Sequence, residues 1–281
     1  MTKKKTEKKM TVAQKKKMLL EKEKYTVDDL VTVVEVLRSE EGCPWDREQN
    51  HKSIRKDFIE ETYEVIEAID TENPTLLREE LGDVLLQVAF HSQIEREEER
   101  FDMQDVANDV CVKLIHRHPH VFGNVDAKTS EQVLLNWEKI KSEEKERVTV
   151  TDKLKAIPPM LPALMRAQKV GKKASCFDFP DADSVLLKVK EESAELETAM
   201  KCQDISQIEE EMGDLLLSIT SLCRKLGVDA EEALNKATDK FISRFEAIEN
   251  EVISSGLSME NLSMEQLDAI WDKNKAKSVE K

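Results

Sequence analysis

Apolar residues recur along this chain at helical spacing, and no stretch of useful length alternates apolar and polar residues as a strand does. In the first such pattern, over residues 27–39, Leu30, Val34 and Leu37 lie on one face, and Thr26 precedes it at capping-box spacing. Further helices are predicted over about residues 52–70, 74–97, 102–118, 130–146, 162–172, 183–201, 205–226, 229–251 and 264–277. The fold is therefore predicted to be all-α.

The order of helices in the first half of the chain repeats in the second half, which predicts two tandem related helical bundles. The boundary is predicted at the charged segment that ends in Ile157-Pro158-Pro159. We predict a Lys-rich disordered tail over residues 1–24, a first repeat over 25–141, a linker over 142–160 and a second repeat over 161–281.

Six acidic positions occur twice, with the same spacing in each copy. Acids three or four residues apart share one side of a helix, and a short loop makes the next helix a neighbour. A solvated acidic face explains a single such pattern, but both copies lie beside apolar residues, where unpaired charge is costly. Crowded carboxylates suit Mg²⁺ or Mn²⁺, not zinc. The predicted metal ligands are Glu60, Glu61, Glu64, Glu80 and Asp83, and Glu191, Glu192, Glu195, Glu211 and Asp214, with Glu79 or Glu210 as the sixth acid of each copy.

Basic and aromatic residues also recur downstream of each acid set. Lys-x-x-x-Arg occurs at 113–117 and 240–244, and Trp-x-x-x-Lys occurs at 137–141 and 271–275. Residues at this spacing point the same way from a helix. Lys and Arg can hold phosphate oxygens, and a tryptophan beside them either stacks on a base or packs in the core. The candidate substrate-binding residues are Lys113, Arg117, Trp137 and Lys141, and Lys240, Arg244, Trp271 and Lys275.

Taken together, these motifs resemble the MazG family of nucleoside triphosphate pyrophosphohydrolases, over about residues 25–280. The first half carries Gly-Cys-Pro-Trp-Asp (42–46), Glu-Glu-Thr-Tyr-Glu (60–64), Glu-Leu-Gly-Asp (80–83) and Arg-His-Pro-His-Val-Phe (117–122). The second half carries Leu-Pro-Ala-Leu-Met-Arg-Ala-Gln-Lys (161–169), Glu-Glu-Ser-Ala-Glu (191–195) and Glu-Met-Gly-Asp (211–214). The acid pattern alone is also similar to all-α dUTP pyrophosphatases and phosphoribosyl-ATP pyrophosphohydrolase, so it indicates only the wider superfamily.

The resemblance implies Mg²⁺-dependent hydrolysis of a nucleoside triphosphate between its α- and β-phosphates by an intertwined homodimer, giving nucleoside monophosphate and pyrophosphate. It implies that Glu192, Glu195, Lys240 and Arg244 are catalytic, and that Lys188, Lys275 and Trp271 bind substrate. In the first half, Asp57 stands where the second has Lys188. The loss of this cation makes the first half the weaker candidate for catalysis. The alternative function is a non-catalytic nucleotide or alarmone sensor, a regulatory helical dimer that binds a partner protein.

Charge and cysteine content narrow the partners further. The formal net charge is −15, although residues 1–24 hold ten Lys against three Glu. The net negative charge argues against a nucleic-acid partner. The sequence contains no run of 18 apolar residues, so no membrane partner is predicted. Five cysteines without C-x-x-C spacing predict reduced, mostly buried thiols and a cytoplasmic protein. The histidines at 116, 118 and 120 favour helix capping or packing over zinc binding.

Overall fold

The computed structural model describes the backbone of residues 10–144 and 149–279, and the side chains of residues 10–144 and 149–274. Every regular element in these ranges is helical, which confirms the all-α prediction. The helices are α1 (Val12–Leu20), α2 (Val27–Arg38), α3 (Pro44–Glu48), α4 (Arg55–Asp70), α5 (Pro74–Glu97), α6 (Met103–Arg117), α7 (Pro119–Phe122), α8 (Ser130–Glu144), α9 (Val150–Lys155), α10 (Ala163–Lys173), α11 (Ala182–Cys202), α12 (Ile205–Lys225), α13 (Ala230–Ser254) and α14 (Met264–Val279), with a 3₁₀ turn at Met259–Asn261.

A helical hairpin forms the centre of each half. Residues 71–73 join α4 to α5, residues 203–204 join α11 to α12, and the two helices of each hairpin pack closely together. A preceding helix packs on the second arm of each hairpin, α2 on α5 and α10 on α12. The chain divides between Lys141 and Ser142 into two compact units. The repeated helix order confirms the predicted tandem repeats.

The core of the first half lies between α2 and α5. Val34, Ala89 and Phe90 are buried there together. Arg38 lies at the edge of this core with its guanidinium 5.1 Å from the Phe90 ring centroid, and two of its nitrogens donate to the Glu97 carboxylate at 2.8 and 2.9 Å. It also donates to the carbonyl oxygens of residues 46 and 49, so one side chain fastens the loop around α3 to the core.

An ion-pair cluster performs the corresponding fastening in the second half. Asp178, in the loop between α10 and α11, accepts hydrogen bonds from both terminal nitrogens of Arg224 at 2.6 and 2.9 Å. Lys225 lies 2.9 Å from the same carboxylate. These bonds to Arg224 and Lys225 hold the pKa of Asp178 well below its usual range. The loop before α11 is thereby tied to the end of α12 by charge-assisted hydrogen bonds.

Four short helices lie where the sequence predicts a tail, a linker or loops. Thr11 and Thr149 each form a capping box, and these boxes begin α1 and α9. The predicted disordered tail is wrong for residues 12–20, because Leu19 is buried to 8% exposure and Lys15 pairs with Glu35 of α2. Residues 1–9 of that tail and 145–148 of the predicted linker lie outside the described residues. The other predicted domain bounds stay predictions.

The prediction of mostly buried cysteines is also wrong. All five are free thiols, and three of them, Cys111, Cys176 and Cys202, are exposed. The loop that contains Cys176 is held to the fold by Asp178. Within the part of the chain that the structure describes, no helix has the length and apolar character needed to span a membrane.

Candidate metal centres

The α4–α5 hairpin brings three carboxylates into one group, which we call the first acid cluster. Glu61 and Glu64 lie on one side of α4, and Glu80 lies in the second turn of α5. One oxygen from each lies within 4.8 Å of the others. Asn73 caps α5 by accepting from two backbone N–H groups, so local sequence sets where Glu80 emerges opposite α4.

The α11–α12 hairpin builds the second acid cluster in the same way. Glu192 and Glu195 come from α11 and Glu211 from α12, again with one oxygen from each within 4.8 Å of the others. Glu192 is only 4% exposed, whereas Glu195 is exposed and Glu211 is half-buried. The two clusters contain six of the ten predicted metal ligands.

The remaining four predicted ligands flank the clusters. Asp83 and Asp214 lie near enough to raise the pKa of Glu80 and of Glu211, respectively, by charge repulsion. Glu60 and Glu191 are exposed and are not in the three-carboxylate groups. The structure therefore brings Asp83 and Asp214 to the cluster margins and leaves Glu60 and Glu191 outside the three-carboxylate groups.

Repulsion among carboxylates is evident in the first acid cluster. Burial, followed by the charge of Asp83 and the hydrogen bond and charge of Glu64, raises the pKa of Glu61 from 4.5 to about 7. Burial and the neighbouring Glu64 and Glu79 also raise the pKa of Glu80. Each ionised form is disfavoured in the protein alone, so a cation at this cluster would relieve the repulsion.

The second acid cluster differs because a lysine lies within it. Lys188 Nζ lies 2.8 Å from Glu191 Oε1 and 2.7 Å from Glu192 Oε1. These hydrogen bonds raise the pKa of Lys188 above its ordinary value. Burial and the charges of Glu195 and Glu192 still raise the pKa of Glu211. Repulsion therefore persists on the α12 side, whereas Glu192 already has a cationic partner.

The recurrent arginines and tryptophans pair with each other in both halves. Arg117 is buried, with its guanidinium 5.3 Å from the Trp137 ring centroid, and Arg244 lies 5.9 Å from the Trp271 centroid. Both separations are typical of cation–π contacts. Phe241 also packs on Trp271, with ring centroids 5.4 Å apart. Each tryptophan is thus held against an arginine of the preceding basic motif.

The predicted basic residues do not all reach the carboxylates. Lys113 and Lys240 are exposed, and in the described chain neither they nor Arg244 form an ion pair with an acid cluster. Lys141 lies 3.8 Å from Glu138, one turn earlier on its own helix. Lys275 lies in α14 beyond the last residue whose side chain the structure describes, so its predicted role stays untested.

The histidines around Pro119 belong to neither group of potential metal ligands found among the described residues. His118 lies between α6 and α7, where its Nδ1 is 2.6 Å from the carbonyl oxygen of Leu114. Its ring also contacts the edge of Trp137, with centroids 4.9 Å apart. These contacts agree with capping and packing.

A second histidine group was missed in the sequence. His51 Nδ1 lies 2.6 Å from His91 Nδ1, its Nε2 lies 2.6 Å from Glu95, and Arg100 donates to the same carboxylate. These residues are about 40 positions apart, so no local spacing signals the group. His91 lies about 16 Å along the axis of α5 from Glu80, away from the first acid cluster.

The chemistry of the acid clusters fits a hard divalent cation. Each offers only oxygen donors, and each contains a glutamate whose pKa is raised by burial and by neighbouring carboxylates. Mg²⁺ and Mn²⁺ favour such ligands. Glu61, Glu64 and Glu80 would hold an ion in the first half, and Glu192, Glu195 and Glu211 would do so in the second.

A family model described as the MazG nucleotide pyrophosphohydrolase domain matches this chain twice, over residues 49–122 and 181–248. Each match contains one hairpin with its acid cluster. Together the two matches span about half of the chain. The chain belongs to the MazG family. This confirms the resemblance inferred from the motifs.

Relatives in the MazG family align with most of the chain. The Thermotoga maritima protein named nucleoside triphosphate pyrophosphohydrolase/pyrophosphatase MazG is 46% identical over 250 residues, which cover 88% of this chain and 95% of that protein. The Escherichia coli protein named nucleoside triphosphate pyrophosphohydrolase is 43% identical over 259 residues, covering 90% and 98%. The uncharacterized protein YabN of Bacillus subtilis is 38% identical over 253 residues, which span 89% of this chain but 51% of YabN.

Proposed function

We propose that this MazG-family protein hydrolyses nucleoside triphosphates, NTPs or dNTPs, to nucleoside monophosphate and pyrophosphate, with Mg²⁺ as its metal and Mn²⁺ as a substitute. The pair of three-carboxylate clusters carries the proposal, since each lies inside a stretch that matches the pyrophosphohydrolase domain. The names of the two long-aligning relatives support the substrate class. Such an activity would serve nucleotide house-cleaning or control of the nucleotide pool.

The acid cluster supplies the metal ligands and the group that orients water. Bound Mg²⁺ would neutralise phosphate charge and lower the pKa of the attacking water. A glutamate of the second cluster, Glu192 or Glu195, would accept a hydrogen bond from that water and orient it toward the linkage between the α- and β-phosphates. The half-buried position of Glu211 and the burial of Glu192 limit competing bulk water around these oxygens.

Cations beyond the cluster hold the rest of the substrate. Lys240 is exposed and can donate to phosphate oxygens, and Arg244 keeps its guanidinium over Trp271. The side chain of Trp271 is half-buried, so part of the ring remains available to stack on a base. We propose Lys188 as a further phosphate ligand, and on that basis the second repeat as the principal catalytic site.

Matched glutamine substitutions test the function and the choice of repeat. Glu192→Gln and Glu61→Gln remove one carboxylate charge from corresponding positions, and Glu197→Gln removes an exposed charge from α11 outside the cluster. Pyrophosphate release from a panel of NTPs and dNTPs is measured with Mg²⁺ and with EDTA. We expect Glu192→Gln alone to abolish turnover. An effect of Glu61→Gln alone would assign catalysis to the first repeat instead.

Two outcomes of that assay would reject the proposal. One is orthophosphate as the first product, and the other is turnover that does not depend on metal. Nucleotide binding by the purified wild-type protein without turnover under any metal condition would favour the sensor function. Binding is measured by calorimetry with the same NTPs.

We further propose that the protein is a homodimer. Both halves expose large apolar side chains on their helices, including Ile59 on α4, Leu187 on α11 (66% exposed) and Ile242 on α13 (58% exposed). Exposed apolar side chains in this number are expected where a second chain covers part of the surface. Sedimentation velocity is expected to give twice the chain mass for wild type and the chain mass for Ile242→Asp. A monomeric wild type would reject the dimer.

A further inference from the structure

The position of Lys188 inside the second acid cluster has a consequence for metal binding. Its Nζ contacts Glu192 Oε1 at 2.7 Å, and Glu192 contributes one of the clustered carboxylates. Because Glu192 is only 4% exposed, its charge has little access to water and requires a protein partner. Lys188 is that partner, and its second contact, 2.8 Å to Glu191 Oε1, fixes it at the cluster margin.

The first repeat has the opposite charge at the corresponding place. Asp57 precedes Glu60 and Glu61 by the same three and four residues by which Lys188 precedes Glu191 and Glu192. An aspartate cannot neutralise the cluster, so the first repeat depends on an outside cation to relieve its repulsion. The two clusters therefore share their carboxylate geometry but differ by two units of formal charge at one position.

We propose that Lys188 is an internal counter-ion that competes with divalent metal for Glu192. Coordination through Glu192 Oε1 requires the 2.7 Å contact of this oxygen with Lys188 to break. The ammonium then keeps only Glu191 and can donate to a further anion. The phosphates of the substrate can supply that anion. Lys188 thereby makes the second cluster a poor site for metal alone and favours metal that arrives with a triphosphate. This inference rests on the metal-binding function proposed above.

Metal titrations of the full-length protein test the counter-ion role without relying on turnover. Mn²⁺ alone is titrated by calorimetry and by the electron paramagnetic resonance signal of free Mn²⁺. A Glu61→Gln background weakens the first cluster, so that binding reports mainly on the second. In this background Lys188→Met is expected to tighten Mn²⁺ binding about tenfold, because the competing cation is gone. Lys190→Met, an exposed lysine on the same helix, is the matched control and should leave Mn²⁺ affinity unchanged.

The reverse change of charge in the first repeat provides a second test. In a Glu192→Gln background, Asp57→Lys should place a cation beside Glu60 and Glu61 and weaken Mn²⁺ binding to the first cluster about tenfold. A circular dichroism melt checks that each variant is folded. If Lys188→Met leaves buried Glu192 too strained for folding, Asp57→Lys still decides the question, because Asp57 is only half-buried.

Failure of this inference and failure of the proposed function give different results. Equal or weaker Mn²⁺ affinity in folded Lys188→Met, or an Asp57→Lys variant that binds Mn²⁺ as the wild-type residue does, overturns the counter-ion role alone. Absence of Mn²⁺ binding in the wild type and in every variant overturns the metal-dependent function itself.

Discussion

Glu61→Gln is expected to stabilise the metal-free protein at pH 8, even though it removes a proposed metal ligand. Burial and the neighbouring Asp83 and Glu64 raise the pKa of Glu61 from 4.5 to about 7. Below pH 4.5 this side chain is protonated in both the folded and the unfolded chain. Between pH 4.5 and 7 the Glu61 carboxyl ionises in the unfolded chain but stays mostly protonated in the folded chain. The free energy of unfolding therefore falls as pH rises through this range. Glutamine resembles the protonated form and avoids this loss.

The size of the effect follows from the pKa change. A rise from 4.5 to about 7 corresponds to at most about 3 kcal/mol. Glu61 is half-buried, and solvent screens part of its repulsion, so the expected gain in unfolding free energy is about 1–2 kcal/mol at pH 8. The gain should be near zero at pH 4.5. With metal present the variant should instead be less stable than wild type. A ligand at a hundredfold excess over its Kd stabilises wild type by about 2.7 kcal/mol, and the variant lacks one of the proposed ligands.

Urea unfolding followed by circular dichroism measures these differences at pH 4.5 and pH 8, with EDTA or with Mg²⁺. The matched control is Glu67→Gln, which removes an exposed charge from the same helix outside the first acid cluster. Destabilisation by Glu61→Gln in EDTA at pH 8 would refute the reasoning. So would a gain of equal size at both pH values, or one that Glu67→Gln reproduces.

The other expectations concern the scaffold. Asp178→Asn should lower the free energy of unfolding, measured in urea, by about 1–3 kcal/mol, because it breaks a bidentate charge-assisted pair with Arg224. Since the pKa of Asp178 is held low, this loss should be largest above pH 4 and should shrink in acid. A loss that does not depend on pH would contradict this origin. Burial and His51 lower the pKa of His91, so stability should fall as pH drops below about 6.5, and His91→Phe should flatten that slope in thermal melts. A β-carbon on Gly213 meets no atom within 4 Å, so Gly213→Ala should raise the melting temperature by an amount equivalent to roughly 1 kcal/mol, and a lower melting temperature would show that the helix needs glycine there.

The helices and their repeat were accessible from local patterns. Thr26 caps the helix that it was predicted to cap, and the observed bounds of α2, α5 and α12 lie within a residue or two of the predicted bounds. Helix caps and apolar periodicity involve residues only a few positions apart, so both can be recognised in the sequence. The acid hairpins follow from the same information, because a short connection makes successive helices neighbours.

Contacts between residues far apart in the sequence could not be predicted from local patterns. The packing of α1 on α2 depends on Leu19 and on the pair between Lys15 and Glu35, and composition alone suggested a disordered segment instead. The bridge from Asp178 to Arg224 joins residues 46 positions apart. No spacing rule connects such residues, because loop geometry sets which side chains meet.

The repeated acids, their oxygen chemistry and the exchange of Asp57 for Lys188 can all be read in the amino-acid order, since helical spacing converts a three- or four-residue interval into proximity. The amino-acid order does not show which of these carboxylates is buried away from solvent. Packing of α11 against α12 buries Glu192 while Glu195 stays exposed, although both lie on one helix in the same motif. Burial depends on what neighbouring helices cover, and it is burial that makes the partner of Glu192 matter.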